Sequence, residues 1–452
     1  MKTIFITIFE GVEAKNILRT SILKNLLLDE DLRIVLFTKS QEKRDYYQNE
    51  FSHQRLYFEV VESIAKSKIN NFFEKIKFIL LRTDTTNLKR KMAYDYSGGY
   101  LKYHFVDLLN FILARPTVRV IVRYLDYLLV ADNTFDLYFD KYSPSIVFMG
   151  HLFDNLEINL LRAAKKRGIT TIGYINSWDK VTSRCIIRIL PDKAIVFNNI
   201  VKNELISFNE MTADNIFVSG LPQYDIFYDK NKVSREVFFK EKGFDINKKL
   251  IVYAPIGRSF GSSDWDIIDL LTDLIYINKT INNCELLVRF QPNDFINELE
   301  ISKRPNLKYD VPGIRFGSKR GVDWDMNNLD IDHLCNTLQH MSLLICYASS
   351  ISIDAAVNDK PIININFELT KSRFLLKSSI QHYQSTHYKA ALNTGGISLV
   401  NNKEELIIMI NKYLENPELN RRERSRLVME QCSFIDGKSG KRIANYMIDL
   451  IK

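Results

Sequence analysis

Residues Leu343–Glu368 read LLICYASSISIDAAVNDKPIININFE, and their reading decides the fold. Leu343–Cys346 is an apolar run with the look of a buried strand. Tyr347-Ala348-Ser349-Ser350 is a short polar turn, and Ile351–Asn358 has helical spacing with small Ala355 and Ala356. Asp359-Lys360-Pro361 breaks that helix, because proline clashes with a preceding helical residue. Ile362–Phe367 is a second strand rich in β-branched residues. Strand, turn, helix and parallel strand make one βαβ unit. The chemistry of the unit lies at its turn. A helix start carries unpaired N–H groups and about half a positive charge, so the hydroxyls of Ser349 and Ser350 together with that start suit a phosphate. Asp354, one turn into the helix, is placed to reach ribose hydroxyls. The alternative for Ser350 is a plain helix cap.

The same alternation extends in both directions. Towards the N-terminus, Thr3–Phe9, Leu32–Thr38 and Leu56–Val61 read as strands, and Ala14–Leu28 as an amphipathic helix. The turn Glu10–Lys15 follows the first strand at its carboxyl end, where open α/β sheets take ligands. It lacks GxGxxG spacing, which argues against a nicotinamide or flavin site. From Ser145 to Val218 strands and helices alternate again. The second half has strand Leu250–Ala254 leading into Pro255–Gly261, strand Glu285–Phe290, the central unit, and helices towards the end. With 452 residues, two domains are expected: 1–230, with a helical insertion over 66–140, and 231–452.

The insertion is aromatic and basic, with Lys75, Lys77, Arg82, Lys89, Arg90 and Lys91 close to Phe72, Phe73, Phe78 and Tyr94. Such a segment either lies on an anionic membrane surface or packs on its own domain with a solvated charged face. The net charge of +8 is too small to argue for nucleic acid. Five scattered cysteines without a CxxC suggest neither zinc nor a disulfide framework and fit a reducing cytoplasm. The N-terminus reads as a first strand rather than a signal peptide, and no run of 18 uncharged apolar residues predicts a membrane span.

Two doubly wound halves facing a cleft describe the GT-B architecture. The segments YAPIGRSF, LLVRFQPND, YASSISIDAAVNDKPIININFE and the tail DGKSGKRIA resemble the nucleotide-binding domain of GT-B glycosyltransferases that build bacterial surface polysaccharides. INSWDKVTSR, PDKAIVFN and VSGLPQYDIF resemble the end of the acceptor domain of that group, and the likeness covers about residues 143–445. It extends to the CDP-glycerol glycerophosphotransferases of the same fold. That family carries one histidine where this chain has Asp179 and a second where it has Gln291, so the departure favours a sugar over a polyol phosphate.

The resemblance implies a metal-independent transferase that moves a sugar from a nucleotide-sugar donor to a glycan or lipid-linked glycan acceptor. It places the enzyme in the cytoplasm at the inner membrane face, with no cofactor. Leaving-group charge then falls to Arg258 and Arg289, both near strand ends, because guanidinium binds phosphate in a bidentate way. Asp179 is the candidate base for an inverting transfer, with Glu10, Asp154 and Glu157 as further carboxylates near strand ends; an Asx turn is the other reading of Asp179. Gly257 belongs to the loop expected to cover the diphosphate. Asp264-Trp265-Asp266 and Asp323-Trp324-Asp325 have the DxD spacing of metal-dependent transferases, but the first pair more simply caps a helix. The functional alternatives are a CDP-polyol phosphotransferase, a UDP-sugar 2-epimerase of the same fold and a non-catalytic scaffold.

Overall fold

The computed structural model describes residues 1–62, 67–229, 233–317 and 323–452. The chain forms two units: residues 1–90, 99–228 and 432–452 make the first, and residues 91–98 and 229–431 the second. The expected start of the insertion at Lys66 and the expected boundary between Lys230 and Asn231 lie outside the described residues.

The first unit is built on seven parallel strands: β1 Lys2–Thr7, β2 Leu32–Thr38, β3 Leu56–Val60, β4 Ile146–Met149, β5 Thr170–Tyr174, β6 Lys193–Val196 and β7 Ile216–Val218. Their order is β3-β2-β1-β4-β5-β6-β7. The strands are buried on both faces, hence their near-continuous apolar runs. Ile4, Ile34 and Ile146 stand in register across β1, β2 and β4. Ile6, Leu36, Phe148 and Ile172 share a core with Ile17, Ile22 and Leu26.

The last helix, Ser439–Asp449, corrects the expected second domain of 231–452. It joins the first unit, because Ile443, Ala444 and Met447 are buried in this same core. The Asp225 carboxylate accepts the N–H groups of Ser439 (3.0 Å) and Gly440 (2.7 Å) and so fixes where that helix starts.

The second unit carries six parallel strands: β8 Lys249–Ala254, β9 Cys284–Arg289, β10 Tyr309–Asp310, β13 Leu343–Cys346, β14 Ile362–Ile365 and β15 Ser398–Val400. A hairpin of β11 Ile314–Arg315 and β12 Trp324–Asp325 stands apart. The order is β10-β9-β8-β13-β14-β15. The βαβ unit read from Leu343–Glu368 is present, with β13 paired in parallel to both β8 and β14. The protein is thus α/β, with two doubly wound, Rossmann-like sheets.

The insertion between β3 and β4 is helical: Lys68–Ile76, Asp84–Ser97, Tyr100–Leu113, Pro116–Leu129 and Asp136–Tyr142. Its residues 91–98 group with the second unit. The helix Pro116–Leu129 turns its charges inward. Arg119 and Arg123 pair with Glu210 (2.5 and 2.6 Å), and Asp126 is held by Arg162 and Arg188 (2.9 and 2.6 Å). Val120, Ile121, Tyr124 and Leu128 are exposed, as are Leu101, Phe105, Leu108 and Ile112 of Tyr100–Leu113. The expectation of a solvated charged face is therefore corrected for Pro116–Leu129: a helix buries the face that finds partners, and here the partners are ionic.

Candidate functional site

In the second sheet the chain leaves β8 towards β9 and β10, and leaves β13 in the other direction towards β14 and β15. The strand order reverses between β8 and β13, and the crevice beyond their carboxyl ends is where open α/β sheets bind ligands. Two loops stand there. The first, Pro255–Gly261, is shaped by Asp264, whose carboxylate accepts from the Tyr253 hydroxyl (2.8 Å) and from the N–H groups of Ile256 (3.1 Å) and Gly257 (2.8 Å). The Gln291 amide donates to the Ile256 carbonyl at 2.6 Å. Gly257 has a φ of +92°, a conformation that side chains disfavour. These bonds occupy Asp264, so the first DxD pair shapes a loop. Of the second pair, Asp325 is fully buried on β12.

The second loop is the serine turn. Behind it, the buried Asn364 amide donates to the Tyr347 carbonyl (2.8 Å) and to the Tyr388 hydroxyl (2.6 Å). Tyr388 reaches the Ser349 carbonyl at 3.4 Å and the Ser352 hydroxyl at 3.0 Å. The turn is thus fixed from inside while Ser349 and Ser350 stay at least partly accessible. Ser350 sits at the N-cap position but in a helical conformation, and its side chain caps nothing. The capping alternative is not what the structure has.

The remaining expected residues divide. Arg258 is exposed, with its guanidinium over the Phe295 ring at 5.6 Å. Arg289 lies at the end of β9 but is 4% exposed, donating to His333 Nδ1 at 2.9 Å and pairing with Asp310 at 3.5 Å. Burial pulls the His333 imidazole down to about 4, so the ring is neutral and can accept that bond. Burial also lowers the Arg289 pKa, against Asp310, Asp330 and Asp354. The Arg289 guanidinium thus fastens the helix Asn328–His340 to β9 and β10, a structural role beside the leaving-group role expected of it. Asp354, half-buried, lies within the field of that same guanidinium.

In the first unit Asp179 follows β5. Its carboxylate accepts from the hydroxyls of Ser177 (2.6 Å) and Ser183 (2.9 Å) and caps no backbone N–H of the helix Lys180–Ser183. Asp179 adds to the burial that pushes the Glu204 carboxyl up to about 8. Asp154 caps the helix Asn155–Lys166 through Leu156 N–H (2.9 Å) and pairs with Lys39 (2.6 Å). Glu10 and Glu157 come together with Glu13 and His151 beyond the ends of β1 and β4. Sequence reading missed Glu13 and His151. The signal for Glu13 was the turn after β1; nothing local marks His151, which only the parallel pairing of β1 with β4 brings near.

A family model described as CDP-Glycerol:Poly(glycerophosphate) glycerophosphotransferase matches residues 188–449, more than half of the chain. The chain belongs to this family. Among solved structures, UDP-GlcNAc 2-epimerase from Neisseria meningitidis bound to UDP-GlcNAc aligns over 99% of this chain and 100% of its own, with 13% identity and a TM-score of 0.57. The S. aureus MnaA–UDP structure aligns over 100% and 98%, with 13% identity and a TM-score of 0.55. The wall teichoic acid polymerase TagF with CDPG aligns over 100% and 88%, with 14% identity and a TM-score of 0.50. No curated protein sequence matches significantly. At these identities the structural likeness fixes the fold, which is that of GT-B proteins, and the family membership makes the chain a transferase acting on a nucleotide-linked donor in the making of cell-surface polymers.

Proposed function

We propose that the chain transfers a sugar from a nucleotide-sugar donor to a hydroxyl of a growing surface glycan. The observation that carries this reading is Asp179, a carboxylate held by two serine hydroxyls where the family resemblance places a histidine. A carboxylate suffices to take the proton of an acceptor hydroxyl. On this reading the second unit holds the donor: Ser349 and Ser350 meet the diphosphate beneath the Gly257 loop, and exposed Arg258 takes charge developing on it. Asp354 is kept as the ribose partner. The solved structures with UDP, UDP-GlcNAc and CDPG support a nucleotide in this fold.

A second reading, transfer of a polyol phosphate from a CDP-linked donor, is favoured by the family match itself. The test is incubation of the chain with UDP-, GDP-, CDP- and CMP-linked sugars and with CDP-glycerol, each with and without a glycan acceptor, followed by mass analysis. A mass gain of one sugar supports the first reading, and one of a glycerol phosphate the second. A sugar inverted at C2 without acceptor, an isomer of unchanged mass read by NMR of the same mixtures, identifies an epimerase, and no binding of any donor by calorimetry leaves a scaffold. The exposed apolar face of helices Tyr100–Leu113 and Pro116–Leu129, with Lys102 and Arg115 beside it, supports contact with an anionic inner membrane surface. No helix among the described residues is long and apolar enough to cross a membrane.

A further inference from the structure

Beyond the carboxyl ends of β1 and β4, where the order of the first sheet reverses, three carboxylates surround one histidine. Glu13 and Glu157 are fully buried, His151 is 4% exposed, and the Glu10 side chain is 17% exposed. His151 Nε2 lies 3.6 Å from Glu10 Oε1 and 3.4 Å from Glu13 Oε1. Neither spacing is a good hydrogen bond, which for such groups runs about 2.7–3.2 Å. Nε2 and Glu13 Oε1 have no hydrogen-bond partner at all, although both are buried.

We propose that Glu10, Glu13 and His151 bind a divalent first-row transition cation of the zinc or manganese class. Ligand atoms about 2.1 Å from a tetrahedral ion stand about 3.4 Å from one another, the spacing found here between Nε2 and the two carboxylate oxygens. The three donor atoms lie within 4.8 Å of one another. The charges agree. Lys180 Nζ, 3.9 Å from the other oxygen of Glu10, offsets one of the three carboxylates, and a doubly charged ion offsets the remaining two. A mixed imidazole and carboxylate set favours zinc or manganese over magnesium, which keeps oxygen ligands and water.

The surroundings supply the outer support such a site needs. Glu157 Oε2 stands 3.3 Å from His151 Nδ1, and its other oxygen is held by the Thr7 hydroxyl and by His151 N–H (3.0 Å). Phe153 N–H points at Nδ1 (3.1 Å), which places the proton of the ion-free ring on Nε2. An ion on Nε2 needs the other tautomer: the Nε2 proton passes to solvent, Nδ1 takes one up and donates it to Glu157, and the Phe153 N–H gives up its bond to Nδ1, which yields the carboxylate–histidine–metal arrangement of many zinc sites. Three protein donors leave a coordination position open.

The experiment uses the full chain stripped with a chelator and titrated with ZnCl₂, MnCl₂ and MgCl₂ by calorimetry, with bound metal counted after dialysis. The expected result is one zinc or manganese ion per chain and a rise in Tm, with magnesium at least tenfold weaker. Glu13→Gln and His151→Gln keep side-chain size, and each is expected to weaken binding by at least a hundredfold while the metal-free Tm stays within a few degrees. Should either variant fail to fold, the partly exposed Glu10→Gln serves instead, with at least a tenfold loss expected. The inference is overturned if the stripped chain takes up no stoichiometric zinc or manganese, or if uptake is unchanged in the variants, which would place the ion elsewhere and leave the cluster a proton-sharing network.

Discussion

The α-carbon of Gly257 packs against the carboxylate of Asp294, so that a Cβ added to the glycine would lie 2.1 Å from Asp294 Oδ2. Gly257→Ala therefore meets both that clash and a φ of +92°. A left-handed residue costs about 1–2 kcal/mol before any clash is counted. The loop is expected to shift off its anchor on Asp264, with nucleotide affinity falling at least tenfold and Tm by only a few degrees. Calorimetry with the donor that binds best reads this; unchanged affinity takes the loop out of the donor site.

Arg289→Ala is expected to act on stability. Removing one partner of a buried pair costs about 3–5 kcal/mol when the other charge is left unpaired, and Lys242 still faces Asp310 at 2.7 Å, so the expected loss lies at or below the lower end of that range. Arg289→Lys is expected to recover only part of the loss, because lysine cannot span His333 and Asp310 together. Denaturant melts read both. A variant that melts like the parent but turns over a hundredfold more slowly would give Arg289 its part in the chemistry.

Glu204 gives a pH dependence with a fixed sign. Burial first, then the charge of Asp179, raise its carboxyl from the usual 4.5 to about 8. The folded chain thus keeps a proton that the unfolded chain gives up between those values. Its contribution to stability is fully present below about 4.5 and is lost as pH rises through about 8. Tm measured from pH 5 to pH 9 is expected to fall less in Glu204→Gln than in the parent. Parallel curves would mean that Glu204 is ionised in the folded chain.

The apolar outer face of the insertion predicts lipid binding. The chain is expected to sediment with vesicles of anionic lipid and not with neutral ones, and Ile121→Glu combined with Leu125→Glu to weaken this at least tenfold. Both positions are exposed, so Tm should hold. Dimers that disappear in the double variant, with no vesicle binding by the parent, would instead make this face a contact between copies.

Much of this was legible in the residues. The strand–turn–helix–strand pattern at Leu343–Glu368 is local, and local periodicity placed both sheets and the serine turn. What could not be read depends on partners distant in sequence. The structural role of Arg289 shows only once Asp310 and His333 are seen around it. The C-terminal helix joins the first unit through Asp225, more than two hundred residues away. The inward charges of Arg119, Arg123 and Asp126 reverse the usual amphipathic rule because Glu210, Arg162 and Arg188 wait beneath them. Glu13 and His151 are 138 positions apart and meet only because β1 pairs with β4.

Asp179 separates chemistry from architecture. Asp179→Asn keeps the size of the side chain: its one oxygen still accepts from one of the Ser177 and Ser183 hydroxyls, and its NH2 group donates to the other, so the fold around it should persist. The amide cannot take up a proton near neutral pH. If Asp179 is the base, transfer falls by about two to four orders of magnitude. Donor affinity is expected to stay within about twofold, since the residues proposed to hold the donor lie in the second unit, and the parent's Tm to be kept or slightly exceeded because Glu204 loses a neighbouring charge. Single-turnover transfer together with donor calorimetry gives both numbers. Full activity in Asp179→Asn would move the base elsewhere, and Glu10, the more exposed carboxylate of the β1–β4 cluster, becomes the next residue to replace.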